Sequence, residues 1–66
     1  MNFSAYLNQY RVEKAKKLIL DSRLNLKNVG TAVGYSDANY FTRVFKRLTG
    51  QTPSEYRQAA AEKAVQ

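Results

Sequence analysis

The sequence predicts an all-α protein, a small helical bundle that forms a single domain over residues 1–66. Apolar residues recur at intervals of three and four, which is the period of a helix with one buried face. Capping residues, Gly and Pro separate these periodic stretches. The apolar–polar alternation that is typical of a half-buried strand is absent from the sequence. These patterns predict helices near residues 3–22, 26–33, 38–49 and 53–62 and a tail over 63–66. The stretch over 58–66 has a high helix propensity but little to bury, so we expect it to fray.

Composition excludes several classes of chemistry. The chain has no cysteine and no histidine, which removes disulfides, thiolate catalysis and the usual zinc ligands. Its 5 Asp and Glu residues are scattered, no Ser or Thr has a local activating base, and there is no glycine-rich phosphate loop. We therefore expect neither an enzyme nor a bound metal or cofactor.

The charge balance favours a polyanionic partner. Lys and Arg number 11 against 5 Asp and Glu, which gives a net charge of +6 and a pI near 9.9. So basic a balance in a small domain is typical of nucleic-acid binding, although net charge also promotes solubility. No apolar run reaches the length of a membrane span and no signal peptide is evident, so we expect a cytoplasmic protein without a membrane partner.

The first predicted helix, capped by Asn2 or Ser4, carries its apolar residues on two neighbouring arcs. The arc near its start consists of Phe3, Tyr6, Leu7 and Tyr10. The arc further along consists of Val12, Ala15, Leu18 and Ile19. A helix whose apolar face shifts midway is suited to pack on two different cores, of which the rest of this chain supplies one. The alternative is a helix that curves around a single core or that has a frayed start.

Residues 26–49 have the organisation of a helix-turn-helix. Asn25 caps a short helix that carries its apolar residues at i, i+3, i+4 and i+7. Gly30 lies inside this helix, where glycine costs about 1 kcal/mol relative to alanine. We expect it to allow another helix to approach closely. Gly34 ends the short helix, and a turn of about four residues leads to a longer one.

The longer helix, which Asp37 caps and Gly50 ends, has two distinct faces. Its core-facing stripe consists of Phe41, Val44, Phe45 and Leu48. Another face is small, polar and basic with no acidic residue, and consists of Ala38, Asn39, Thr42, Arg43 and Lys46. Such a face is suited to contact a polar and negatively charged partner, and the alternative is an ordinary solvated surface. For Arg43 the alternative is a surface salt bridge, but no acidic residue lies three or four positions away.

The last predicted helix begins with a capping box. Thr52 is its N-cap, Pro53 occupies the first helical position, and Glu55 can reach back to the Thr52 amide. Tyr56 is its large apolar residue and is placed in the core. The predicted core of the whole chain is Leu18, Val29, Val33, Tyr35, Phe41, Val44, Phe45, Leu48 and Tyr56.

From Phe3 to Arg57 the sequence resembles the DNA-binding region of the AraC/XylS family of bacterial transcription regulators. The specificity of the resemblance comes from many short motifs that occur in one order and spacing. These are Phe3-x-x-Tyr6-Leu7, Arg11, Ala15, Leu18, Leu26-x-x-Val29, Val33-Gly34-Tyr35, Asn39-Tyr40-Phe41, Arg43-x-Phe45-Lys46, Gly50-x-Thr52-Pro53 and Tyr56-Arg57.

The resemblance implies a fold and an arrangement of units. Such regions carry two helix-turn-helix units joined by a long helix, and this chain resembles the linker helix (1–22) with the second unit (26–49) and its closing helix (53–62). The expected core is a homeodomain-like three-helix arrangement preceded by the linker. The first unit is missing, which fits the displaced apolar arc. A second departure is Gly30, where the family usually has Ala, and it should loosen the first helix of the motif.

The resemblance also implies site residues and partners. The recognition helix matches residues 37–49, so the positions facing the major groove of double-stranded DNA are Ala38, Asn39, Thr42, Arg43 and Lys46. Lys46, Arg47 and the amides near Thr52 suit phosphate groups better than bases. For Tyr40, DNA contact and partial burial remain equal alternatives.

Two other functions remain open. The exposed aromatic arc of the first helix could make the chain a protein-interaction module that docks on RNA polymerase or a partner subunit. A non-specific RNA or nucleic-acid binder is the third reading, but the basic face lacks the stacking aromatics expected for single-strand recognition.

Overall fold

Four α-helices joined by short turns make up residues 2–65, the part of the chain that the computed structural model describes. No strand occurs in this range, which confirms the predicted all-α fold. The helices, named in chain order, are α1 (Phe3–Ile19), α2 (Leu26–Ala32), α3 (Ala38–Thr49) and α4 (Pro53–Val65). Within the same residues no helix is both long and apolar enough to cross a membrane.

Two helix ends differ from the prediction. α1 ends at Ile19 instead of residue 22, because the Asp21 carboxylate accepts from the backbone N–H and the guanidinium of Arg23 and so favours a turn. α4 continues through Val65, beyond its predicted end near residue 62. The alanine-rich sequence of this segment has a high intrinsic helix propensity, which accounts for the extension. Gln66 lies outside the described residues.

The predicted helix caps are present. Side-chain oxygens of Asn2, Asn25 and Asp37 accept from backbone N–H groups in the first turns of α1, α2 and α3, at 2.8–2.9 Å. The capping box of α4 is closed in both directions, with Thr52 N–H donating to Glu55 at 2.8 Å and Glu55 N–H donating to the Thr52 hydroxyl at 3.1 Å. Gly50 ends α3 in the left-handed conformation with φ 84°.

The core lies where α1, α2 and α3 meet, and α4 closes it from one side. Its buried residues are Val12, Ala15, Ile19, Val29, Tyr35, Phe41, Val44 and Phe45. Leu18, Val33 and Tyr56 of the predicted core pack against this cluster but are only partly buried. The prediction for Leu48 is wrong, since 45% of it is exposed. Helical periodicity sets the direction of Leu48, but the neighbouring elements cover the α3 stripe only as far as Phe45.

A ladder of aromatic rings holds α3 in place. Ring centroids lie 5.4 Å apart for Tyr35–Phe41, 5.8 Å for Phe41–Phe45 and 5.6 Å for Phe45–Tyr56. A Cβ at Gly30 would lie 3.0 Å from the Phe41 ring, so the expected close approach of α2 and α3 at this glycine is confirmed. The ladder therefore runs from the turn before α3 through the core to α4.

One interaction that the sequence did not reveal ties α4 to α1. The Arg57 guanidinium donates to the carbonyl oxygens of Ile19 at 2.8 Å, Asp21 at 3.0 Å and Leu24 at 2.8 Å. Carbonyls at the C-terminal end of a helix lack partners within it and attract positive charge. We call this contact the Arg57 clamp, and it fixes α4 against the end of α1 and the turn that follows it.

Candidate nucleic-acid interface

The orientation of α3 is set by its buried side. Phe41, Val44 and Phe45 are buried, so the residues on the other side of the helix must face outward. The structure brings all five predicted major-groove residues onto this outward surface, which we call the α3 outer face: Ala38, Asn39, Thr42, Arg43 and Lys46. All are exposed except Thr42, which is half-buried and whose hydroxyl donates to the Ala38 carbonyl at 2.9 Å.

A groove lies on each side of the α3 outer face. On one side Ala38 and Thr42 border a shallow, mostly apolar groove formed with the starts of α2 and α4. On the other side Tyr40 and Arg43 border a groove formed with the first half of α1 and the turn after α2, which we call the α1–α3 groove. The outer face is therefore a ridge that stands between two depressions, a shape suited to insertion into a groove of another molecule.

The ridge carries positively charged side chains that form no ion pair in the part of the chain that the structure describes. Within residues 2–65 the ion pairs are Lys16–Glu13 and Arg23–Asp21, and neither involves α3. Arg43, Lys46 and Arg47 are all exposed. The salt bridge that was the alternative for Arg43 is thus not formed. In the same range no group of His, Cys, Asp or Glu is arranged to hold a metal ion.

Thr52 is placed differently from the other predicted residues. It is half-buried, and both its N–H and its hydroxyl are engaged by Glu55 in the capping box. Hydrogen bonds with Thr52 lower the pKa of Glu55. The Glu55 carboxylate therefore already binds the Thr52 amide, at the position where the sequence suggested free amides for phosphate. Pro53 has no N–H, which leaves the Ser54 amide as the donor of this turn outside the box.

Tyr40 combines the two roles that the sequence left open. Its ring packs 5.8 Å from the Tyr35 ring, yet 46% of the residue is exposed beside Arg43. The contact with Tyr35 limits its motion, while the exposed part remains available to a partner.

Two residues of α1 that the sequence analysis did not assign to a site lie next to α3. The Asn8 side-chain oxygen accepts from the Tyr35 hydroxyl at 2.7 Å, and the Arg11 guanidinium lies 5.3 Å over the Tyr35 ring. Burial raises the pKa of Tyr35, and the positive charge of Arg11 opposes this shift. The sequence did contain an indication of the role of Asn8. This residue lies one helical turn before Val12, on the same stripe as the buried residues Val12 and Ala15. A polar residue in such a position needs a hydrogen-bond partner.

The apolar arc at the start of α1 is exposed, as predicted. The exposed fractions are 75% for Phe3, 59% for Tyr6 and 50% for Tyr10, while Leu7 is half-buried. Contiguous exposed aromatic residues are unusual on a monomeric protein and mark a contact surface.

A short helix, a glycine-containing turn and a longer helix with a basic outer face define a helix-turn-helix DNA-binding domain. Residues 1–59 match the family described as a helix-turn-helix domain. The chain belongs to this AraC-type family, the DNA-binding domains of transcription regulators, and is not an enzyme. The resemblance inferred from the sequence is thereby confirmed.

Individual relatives agree with this assignment. The chain is 43% identical over 63 residues to the HTH-type transcriptional activator RhaR of Escherichia coli strain K12, covering 96% of this chain and 22% of that protein. RhaR of Shigella flexneri serotype 5b gives the same values. The crystal structure of the transcriptional regulator CdpR from Pseudomonas aeruginosa superimposes with a TM-score of 0.81 at 36% identity, covering 88% of this chain and 18% of that one. The chain thus spans about a fifth of the length of these relatives.

Proposed function

We propose that this chain binds double-stranded DNA sequence-specifically as part of a bacterial transcription regulator, with α3 in the major groove. The observation that carries the proposal is the α3 outer face, which is basic, forms no ion pair within residues 2–65 and is held in one direction by the buried aromatic residues behind it. An α-helix fits the width of the major groove. A function of this kind belongs in the cytoplasm, where bacterial DNA lies.

The side chains of the outer face suit distinct roles. Arg43 can donate two hydrogen bonds to a guanine, and Asn39 can pair with an adenine. Ala38 and the Thr42 methyl group suit the methyl group of thymine, since the Thr42 hydroxyl is already bonded within the helix. Lys46 and Arg47 lie further along α3 and suit backbone phosphates.

A titration against two duplexes tests the proposal. A preferred site is first selected from a randomised duplex library, and binding is then measured on this site and on a scrambled one at two salt concentrations. We expect tighter binding to the selected site and a loss of affinity on both duplexes as salt rises. Equal affinity for both duplexes would reduce the function to non-specific nucleic-acid binding, and no binding to either would contradict it.

The exposed arc of α1 supports a proposal about partners. We infer that Phe3, Tyr6 and Tyr10 pack against another helix-turn-helix unit of the same regulator. The relatives are much longer than this chain, which covers 22% of RhaR, so a regulator of that length has room for a second unit. Docking on RNA polymerase or a partner subunit is the second candidate, and it rests on the same exposed surface. Tyr10→Ser should leave duplex binding by this chain unchanged and weaken binding to whichever protein covers the arc. Weaker duplex binding by this variant would contradict both.

A further inference from the structure

The α1–α3 groove is a concave surface beside the α3 outer face, and apart from Arg43 its polar residues have no role in the proposed function. It has a volume of about 450 Å³ and lies between the first half of α1 and the start of α3. Its walls carry the guanidinium groups of Arg11 and Arg43 together with hydroxyl and amide groups from Ser4, Asn8 and Ser36. Such donors and positive charges suit an oxyanion rather than an apolar ligand.

Arg11 is held in place on the wall of this groove. Its guanidinium lies over the Tyr35 ring and across the bare Cα of Gly34, where an added Cβ would lie 3.0 Å from Nε and 3.1 Å from Cζ. The ring beneath it is itself fixed by the hydrogen bond from the Tyr35 hydroxyl to Asn8. Little conformational entropy therefore remains to be lost when Arg11 binds a partner.

No acidic side chain satisfies the charge of Arg11. Neither of the ion pairs within residues 2–65 involves it. The one carboxylate that borders the groove, Asp37, accepts from the N–H groups of Asn39 at 2.9 Å and Tyr40 at 3.4 Å, so the positive end of α3 offsets its charge. The groove consequently presents a preorganised guanidinium without a protein counter-ion.

We propose that the α1–α3 groove is a subsite for one DNA backbone phosphate, bound by Arg11 next to the base-reading residue Arg43. This inference rests on the proposed function, because Arg43 forms the shared wall between the groove and the α3 outer face. With α3 in the major groove, the strand that borders that groove passes beside Arg43, and its phosphates face α1. The linker helix thus contributes to DNA binding directly as well as by packing.

The test compares the 66-residue chain with Arg11→Gln and with the control Lys17→Gln. The control removes the same charge from an exposed position at the other end of α1. We expect Arg11→Gln to weaken selected and scrambled duplexes alike and to lower the salt slope by about 0.9, the value for one phosphate. Lys17→Gln should leave the slope unchanged. Equal effects of the two variants on the slope would overturn the inference.

A scan of the duplex with single methylphosphonate groups locates the phosphate. The unaltered chain should lose affinity when one particular phosphate is neutralised, and Arg11→Gln should show no further loss at that position. Arg11→Lys, which keeps the charge and fills much of the same space, serves if Arg11→Gln fails to fold, and should show a reduced loss there. If the variants lose as much affinity as the unaltered chain at every phosphate whose neutralisation weakens binding, the subsite is refuted. The proposed function would still stand in that case. Absence of duplex binding by the unaltered chain would refute both.

Discussion

Removing the Arg57 clamp should cost a large part of the stability of this domain. The guanidinium donates to three carbonyl oxygens at 2.8–3.0 Å, and no other side chain within residues 2–65 donates to them. Hydrogen bonds that involve a charged group contribute about 1.5–3 kcal/mol each, and less when exposed. The bond to Leu24 is exposed and the other two are partly buried. We therefore expect Arg57→Met, which keeps most of the apolar stem, to lower the free energy of unfolding by about 2–4 kcal/mol.

A loss of this size is a large part of the free energy of unfolding of the domain and is therefore easily measured. A domain of this length is stable by about 3–10 kcal/mol, and each kcal/mol shifts its melting temperature by about 4–8 °C. Urea unfolding followed by far-ultraviolet circular dichroism gives the free energy directly. Arg57→Lys should recover part of the loss, because one ammonium group can reach only some of the three carbonyls.

Arg43→Met is the matched control, since it makes the same substitution at an exposed arginine. Its free energy of unfolding should stay within about 0.5 kcal/mol of the unaltered chain. If Arg57→Met were as stable as Arg43→Met, the clamp would contribute nothing. The conclusion that Arg57 holds α4 against the end of α1 would then be refuted.

Three further predictions concern the turns, the last cap and the phosphate contacts. Gly34→Ala should destabilise the fold by about 1–3 kcal/mol in urea unfolding. The loss should exceed that of Gly50→Ala, because both glycines have positive φ but only Gly34 is crowded by Arg11. Equal losses for the two variants would contradict this reasoning. Hydrogen bonds from Thr52 lower the folded-state pKa of Glu55 from 4.5, so the stability they give is present above that value and is lost as the pH falls through the lowered pKa. Glu55→Gln should therefore flatten the acid limb of a plot of urea midpoint against pH, and an unchanged limb would show that the box is not formed in solution. Lys46→Ala should weaken selected and scrambled duplexes equally and lower the salt slope by about one unit, whereas a loss confined to the selected site would make Lys46 a base contact.

Local features of the fold were predictable because their causes lie within a few residues. Caps such as Asn25 and Asp37 bind amides two or three positions away, and the capping box at Thr52 closes over the same distance. The close approach at Gly30 was also predictable, since a glycine inside a helix needs a reason of this kind. These features set the helix starts and the close approach of α2 to α3.

Features that depend on distant residues could not be predicted. The carbonyl of Ile19 at the end of α1 is bound by Arg57, which is 38 positions away in the sequence. Arg11 acquires its place only when α1 packs against Gly34 and Tyr35. Leu48 lies on the expected stripe but beyond the reach of its neighbours, and the sequence does not show where that reach ends.

Competition binding of Arg43→Ala against single-base changes in the selected site tests the central claim most directly. The buried aromatic residues fix the direction of Arg43, and no acidic residue within residues 2–65 pairs with it. We predict a loss of about 1–3 kcal/mol on the selected site and relaxed preference at one base pair. Equal losses on the selected and scrambled duplexes would reduce Arg43 to a phosphate contact. No loss on either duplex would contradict the claim that the α3 outer face reads DNA.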